Sequence, residues 1–367
     1  MMIEDALYHR YTVPFRVPFV TSTGLQQHRD GLLVQLRDRD GRIGHGEAVA
    51  LTSFGTATVD VLERKLAELV PRIKGSSEQQ IRELLADFEG DLSLAPVRFA
   101  VDTALLDLDS EASATTLSRY LDPDAATEVP LNATISDMDP DAAATAAGYA
   151  AMAGYQAIKM KVGAFADASR EVERVAAVRD AIGPATGLRL DVNGAWSIER
   201  AIEIARMLEP YTIEYLEQPL PPGDIGALAY LRSEVGIPIA VDESVTSEEV
   251  VKEMIDREAI DVAIIKPTII GGLTASRELI ELASKAGVRV VVTTAIETGV
   301  AIAAALHLAA TLPKPIPPCG LATGTLLETD LLVDSPVIRS GRMLVPDRPG
   351  LGVQPRPTIW NDGDDDR

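Results

Sequence analysis

The run "AIKMKVG" (157–163) sets Lys159 and Lys161 one residue apart among apolar side chains. The chain is sparing with lysine, with eight in 367 residues against 26 arginines. In an extended strand both lysines point to one face and Met160 to the other. Two ammonium groups side by side repel, and burying either is costly without a compensating anion. Such a pair fits two settings. It can guard a solvated edge strand against aggregation. It can also form base machinery, in which one ammonium lowers the proton affinity of the other, and that requires carboxylates nearby.

Carboxylates recur downstream at a regular interval. Asp191 ends "LRLD", Glu217 ends "YLE", Asp242 follows "PIAV" and Lys266 follows "VAII". From Lys161 the steps are 30, 26, 25 and 24 residues, one strand–helix unit each. Three carboxylates at one level cannot all stay ionised without a cation. Oxygen-only ligands, with no His or Cys among them, favour Mg²⁺ over zinc, with Mn²⁺ as the alternative. A cation so held can bind a substrate carboxylate and offset the charge that grows when the adjacent C–H loses its proton. Lys161 and Lys266, facing each other across the site, are the candidate bases. A lysine has to fall from about 10.4 to about 7–8 for that role, roughly 4 kcal/mol, and Lys159 with the cation supplies repulsion of the right sign. Asn193, two residues after Asp191, is expected to point into the site, with Glu243 behind the ligands.

Positioning these residues takes a repeated element. From residue 130 short apolar strands alternate with amphipathic helices. The strands are 130–135, 157–162, 188–193, 213–218, 238–243, 262–267, 288–294 and 319–324, with helices such as 170–182, 197–209, 246–258 and 274–286. Thr246 and Glu249 have capping-box spacing, and Thr274 stands just after "GG". Eight strands at about 25-residue spacing predict a parallel α/β sheet closed into a barrel, where chemistry collects at the C-terminal strand ends. An open doubly wound sheet would carry a Gly-rich phosphate turn after its first strand, and this chain has none.

Residues 1–128 read as a separate α+β capping domain, with a hairpin turning at Asp40-Gly41 and helices at about 57–73, 77–88 and 96–112. The barrel is expected over 129–327. Residues 328–358 read as strand and turn that return to the cap, and the acidic 359–367 as disordered. Hydrophobic residues make up 46% of the chain, and no apolar run approaches the roughly 18 residues a membrane span needs. The N-terminus lacks a basic segment followed by an apolar one, so no secretory signal is expected. One cysteine, Cys319, cannot make an intramolecular disulfide, which fits a cytoplasmic location; it is read as a packed thiol, and His45 as structural. A net charge of −21 argues against nucleic acid or an anionic membrane as partner.

The order Lys-x-Lys, Asp, Glu, Asp-Glu, Lys, with "LDVNGAW", "YLEQPL", "AVDES" and "IIKPTIIGGL", resembles the enolase superfamily and, within it, the muconate-lactonizing-enzyme subgroup. The resemblance covers nearly the whole chain. It implies a (β/α)7β TIM-like barrel with an N-terminal cap completed by the C-terminal segment, and a homo-oligomer acting on a small carboxylate substrate. It implies Mg²⁺ on Asp191, Glu217 and Asp242, with Lys161 and Lys266 flanking the substrate. A mandelate-racemase-like enzyme would carry a His on the seventh strand, and "VVVTTAIETG" has none; dipeptide epimerases carry an Asp-x-Asp on the last strand, and "GLATG" offers no acid. "GEAVALTSFGT", "VPLNATI" and "CGLATGTLLETDLL" look like the o-succinylbenzoate synthases of menaquinone biosynthesis, although "GHGEAVALT" departs from their usual Gly-Glu-Ala-Ala-Pro-Leu-Pro. Those enzymes are lyases that dehydrate 2-succinyl-6-hydroxy-2,4-cyclohexadiene-1-carboxylate. N-succinylamino acid racemase and muconate cycloisomerase are the neighbouring activities; a Schiff-base aldolase or a non-catalytic binding protein are readings of another class. Asn132, Thr294 and Thr323 at strand positions, and Thr21 and Phe54 in cap loops, are expected to touch the substrate or to support the residues that do.

Overall fold

The computed structural model describes residues 1–21 and 24–360, without the side chains of 19–24. Thr21 ends a strand, and its side chain falls outside the described residues, as do 361–367.

The chain opens with three antiparallel strands, β1 (Ile3–Thr21), β2 (Gly24–Asp38) and β3 (Ile43–Val49), in that order in the sheet. Four helices follow: α1 (Val59–Ile73), α2 (Glu78–Ala86), α3 (Ala95–Ala112) and α4 (Leu117–Leu121). Alternation on β2 sends Leu32, Val34 and Leu36 to one face, where they meet Leu62, Leu66 and Leu69 of α1 and Val97, Val101 and Ala104 of α3. The "GHG" of β3 has a steric reason. A Cβ on Gly44 would stand 2.1 Å from the Ala104 carbonyl oxygen, and one on Gly46 1.8 Å from that of Ala100. Only glycine lets α3 lie this close to the strand.

A short strand, β4 (Glu128–Pro130), leads into a seven-stranded parallel sheet. Its strands are β5 (Asn132–Ile135), β6 (Ala157–Lys161), β7 (Gly187–Asp191), β8 (Tyr215–Glu217), β9 (Ile239–Val241), β10 (Val262–Ile265) and β11 (Arg289–Val292), in sequence order. Helices α5 (Pro140–Met152), α6 (Ala168–Ile182), α7 (Ile198–Leu208), α8 (Ile225–Glu234), α9 (Glu248–Asp256), α10 (Pro267–Ile270), α11 (Leu273–Lys285) and α12 (Gly299–Ala309) connect and cover them. The eighth strand expected at 319–324 is reduced to two residues. Cys319 bridges Leu131 and Gly320 bridges Thr293, both in parallel sense, so this pair joins β5 to β11 and closes the ring. Residues 322–326 turn instead into a 3-10 helix.

Two further expectations shift. The α9 cap is Ser247, whose hydroxyl accepts from the Val250 amide, one residue after the Thr246 that capping-box spacing marked. The C-terminal hairpin β12 (Ile338–Arg339) and β13 (Arg342–Leu344) pairs with β4 at the entrance to the barrel, and Gly350 bridges Thr116 of the cap. Disorder is expected from 359, but Ile359 and Trp360 belong to a 3-10 turn, Pro357–Trp360, and the Trp360 ring lies 6.2 Å from that of His45 and 6.4 Å from that of His9. Aromatic contact outweighs local composition there. Among the described residues no helix is long and apolar enough to cross a membrane.

Candidate active site

Strand alternation builds the site from below. Ile158 and Met160 of β6 face the covering helices, so Lys159 and Lys161 face the barrel axis. Along that axis Tyr215, Ala240 and Ile264 pack with Val262 and Val291 into an interior plug. Two residues beyond them, toward the C-terminal end, stand Glu217, Asp242 and Lys266. Register levels the front row: Lys161 pairs with Asp191, and Asp191 with Glu217. Lys266 follows β10, four strands from β6 in a ring closed by an eighth, so the two lysines oppose each other.

The lysines and acids are tied together directly. Lys159 Nζ bridges Asp191 Oδ2 at 2.8 Å and Glu217 Oε1 at 2.6 Å. Lys161 Nζ shares the same Asp191 oxygen at 2.6 Å and donates to Asn193 Oδ1 at 2.7 Å. Asn193 Nδ2 donates to Glu243 Oε1 at 2.9 Å. Lys266 grips both carboxylate oxygens of Asp242 and lies under the ring of Phe54, with Nζ 4.0 Å from the ring centroid. Asp191, Glu217 and Asp242 are buried.

Electrostatics follow from this crowding. Burial opposes the ionised form of Asp191, but Lys159 and Lys161 hold its carboxyl well below the usual carboxylate range. Burial and the charges of Asp191 and Asp242 push Glu217 up to about 7 despite Lys159. Lys159 itself loses solvation, yet Asp191, Glu217 and Asp242 raise it well above the ordinary lysine value. Lys159 is here the partner of two carboxylates, Asp191 and Glu217, beside Lys161.

The cluster sets four carboxylates, counting Glu243, against three ammonium groups. Among the described residues no three acid, His or Cys side chains are gathered closely enough to hold a metal ion in this arrangement. Ammonium groups stand between them instead. The donor set still suits a hard divalent cation: every donor is oxygen, the acids are buried, and four carboxylates outnumber three ammonium groups.

The other predicted residues divide. Thr294 and Thr323 hydroxyls bond to each other at 2.7 Å beside the closing bridge. Asn132 joins a separate network, accepting from Arg189 Nη1 at 3.4 Å, where Arg189 also meets Glu214 and the Pro318 carbonyl. Cys319 is buried, with its thiol pushed up to about 11 by burial.

Several positioning residues escaped sequence reasoning. Gln218 accepts from the amides of Asp242 and Ser244, each at 3.1 Å, and donates to the Leu220 carbonyl. On α6, buried Arg174 donates to the Lys161 carbonyl at 3.1 Å, while Glu171 accepts from the Gly163 and Phe165 amides. An i,i+3 Glu–Arg pair on a helix reads as a solvated face, so only the tertiary contacts disclose it. The sole signal for Gln218 is a polar amide between Glu217 and Pro219.

Comparison with known proteins places this arrangement. Residues 4–121 match the mandelate racemase / muconate lactonizing enzyme N-terminal domain, and residues 141–359 the enolase C-terminal domain-like family. An o-succinylbenzoate synthase of Thermobifida fusca is 41% identical over 207 residues, which span 56% of this chain and 63% of that protein. An N-succinyl-L-Arg/Lys racemase of Bacillus cereus is 29% identical over 355 residues, 94% of both chains. The crystal structure of the Bacillus cereus N-succinyl Arg/Lys racemase superposes with a TM-score of 0.89 at 26% identity, covering 98% of this chain and 97% of that one. A dipeptide epimerase from Cytophaga hutchinsonii, complexed with Mg and the dipeptide D-Ala-L-Val, superposes with a TM-score of 0.85 at 27% identity over 97% of each chain. The matched family covers more than half of the sequence, and its relatives here are synthases, racemases and epimerases: this chain is an enzyme and belongs to the enolase superfamily.

Proposed function

We propose that the protein removes a proton alpha to a substrate carboxylate, using Lys161 and Lys266 around a magnesium ion held by Asp191, Glu217 and Asp242. The observation that carries this reading is the opposition of two lysines across one buried carboxylate cluster. When bound, the ion supplies a positive counter-charge to the substrate carboxylate as negative charge develops on it. The chain's own residues do the rest. Lys161, the more exposed of the two lysines, takes the proton. Lys266, fixed by Asp242 and Phe54, stands opposite as a cation. Arg174 and Glu171 keep the end of β6 in place, and Phe54 of the cap covers Lys266.

The specific reaction is the dehydration of 2-succinyl-6-hydroxy-2,4-cyclohexadiene-1-carboxylate to o-succinylbenzoate. The C–H and C–OH bonds break on one face, a ring double bond forms, and Lys161 returns its proton to the departing hydroxide as water. The 41% identity with the Thermobifida synthase supports this choice. Racemization of N-succinylamino acids is the second reading, favoured by the near-full-length match to the Bacillus racemase. It needs both lysines as bases, one per face.

The test follows the loss of the cyclohexadiene's ultraviolet absorbance on adding enzyme and Mg²⁺. The expected result is fast decay that stops with EDTA and falls at least about 10³-fold in Lys161→Ala. Metal-loaded, folded protein that leaves the diene untouched while exchanging the α-proton of N-succinylamino acids in D₂O would replace the synthase reading with the racemase one.

A further inference from the structure

The turn after the seventh barrel strand carries backbone strain that the chemistry above does not use. Ile296 sits at φ 66°, a left-handed conformation that a β-branched residue strongly resists. Such a residue persists only where its surroundings over-determine it. Here they do. Buried Arg29, from β2 of the cap, donates Nε to the Ile296 carbonyl at 2.9 Å and Nη2 to the Ala295 carbonyl at 3.2 Å. Its Nη1 reaches the Ala50 carbonyl at 3.4 Å, and its guanidinium lies 5.4 Å from the Phe15 ring centroid. Glu47 of β3 accepts from the Thr298 amide at 2.8 Å and hydroxyl at 2.9 Å, and from the Ala301 amide at 2.9 Å.

Between these two anchors Glu297 turns back on itself. Its carboxylate accepts from the Ala295 amide and, at 2.8 Å, from the Thr268 hydroxyl. Thr268 lies two residues beyond Lys266, in α10. The contacts therefore run from the cap, through the strained turn, into the segment that carries Lys266. The Lys161 side is held from elsewhere, by Arg174 and Glu171 of α6.

We propose that Arg29 is a positioning residue for the Lys266 half of the active site, acting through the Ile296 turn and the Glu297–Thr268 bond, an inference that rests on the reading of Lys266 as substrate-flanking. The planar guanidinium satisfies two successive carbonyls at once, which a single ammonium cannot do. Without it Ile296 relaxes to an ordinary conformation and carries the Glu297 carboxylate away from Thr268. The Lys266 segment then loses a fixed neighbour, while the Lys161 segment does not.

The test pairs Arg29→Met, which keeps bulk and removes the donors, with Ile296→Gly, which removes the steric cost of the turn, and with the double variant. Hydrogen–deuterium exchange by mass spectrometry reads residues 266–272, 293–301 and 157–163; steady-state kinetics give kcat and KM. Arg29→Met is expected to speed exchange at 266–272 and 293–301 at least about tenfold and to leave 157–163 unchanged. It should lower kcat about 10²-fold, the cost of a misplacement near 1 Å, with KM within about twofold. Adding Ile296→Gly should return at least about tenfold of that kcat. Unchanged exchange at 266–272, equal loss at 157–163, or an unaltered kcat would overturn the proposal. If Arg29→Met does not fold, Arg29→Lys takes its place, with the same segments and a smaller change expected; wild-type exchange in Arg29→Lys counts against it. If the wild type turns over neither the diene nor N-succinylamino acids, the reading of the reaction fails, and the exchange arm alone decides the coupling.

Discussion

Gln218 shows how much of the site depends on one side chain outside it. It follows Glu217 at φ 40°, a left-handed position without glycine, and its amide makes four hydrogen bonds, to the Asp242 and Ser244 amides, the Ser244 hydroxyl and the Leu220 carbonyl. In Gln218→Leu two buried N–H groups lose their acceptor, which costs about 1–3 kcal/mol each, and Asp242 loses its fixed backbone. The expected outcome is a 10- to 100-fold weaker Mg²⁺ affinity by titration calorimetry, the usual effect of removing a ligand's support. Wild-type affinity would show that Lys266 alone suffices to orient Asp242. Lys161, Asp191, Glu217, Asp242 and Lys266 were legible because each ends a strand or directly follows one, at a near-constant interval. Their pairing was not: spacing cannot say that Lys159 lies between Asp191 and Glu217, since that depends on side-chain reach across three strands.

Helix α11 illustrates the same limit for an element. Its first residue follows Gly272, which has no side chain to cap it. The cap comes from Asp102 on α3, which accepts from the Leu273 amide at 2.8 Å, the Thr274 amide at 3.1 Å and the Thr274 hydroxyl at 2.9 Å. A Cβ on Gly272 would stand 2.9 Å from that carboxylate, so the glycine makes room for it. Asp102 also meets Arg82 at 3.1 Å. Asp102→Ala is expected to lower stability by about 0.5–2 kcal/mol, the range for a lost helix cap, measured by urea unfolding; no change would mean that solvent serves the helix end equally well. The "GG" and the helix after it were readable locally, whereas a cap supplied from a distant helix leaves no local trace. The eighth strand was over-read for a related reason: the two glycines and the threonine of "CGLATG" suit an extended strand and a 3-10 turn alike, and ring closure needs only two bridging residues.

Across the whole molecule, two buried titratable groups hold the returning C-terminal segment on the rest of the protein. Asp107 accepts from the Leu351 amide at 2.6 Å, and burial pushes its carboxyl up to about 7. His307 accepts from the Ser118 amide and bonds the Leu351 carbonyl; burial lowers it to about 4. The signs oppose. A raised acid contributes stability at low pH that is lost as pH rises through about 7. A lowered histidine contributes stability above about 6.5 that is lost as pH falls toward 4. Urea unfolding between pH 4.5 and 6.5 should therefore show Asp107→Asn gaining stability with pH more steeply than wild type, and His307→Gln less steeply, each by up to about 1.4 kcal/mol per pH unit. Identical slopes in all three proteins would remove both groups from the linkage. The two-residue closure at Cys319 and Gly320 bears on biosynthesis. A ribosome-bound chain that has not yet released residues 319–320 has β5 and β11 unjoined, with backbone donors and acceptors open along both sheet margins. Sealing is left to almost the last part of the barrel to emerge, so both margins stay open to wrong pairing until late in translation.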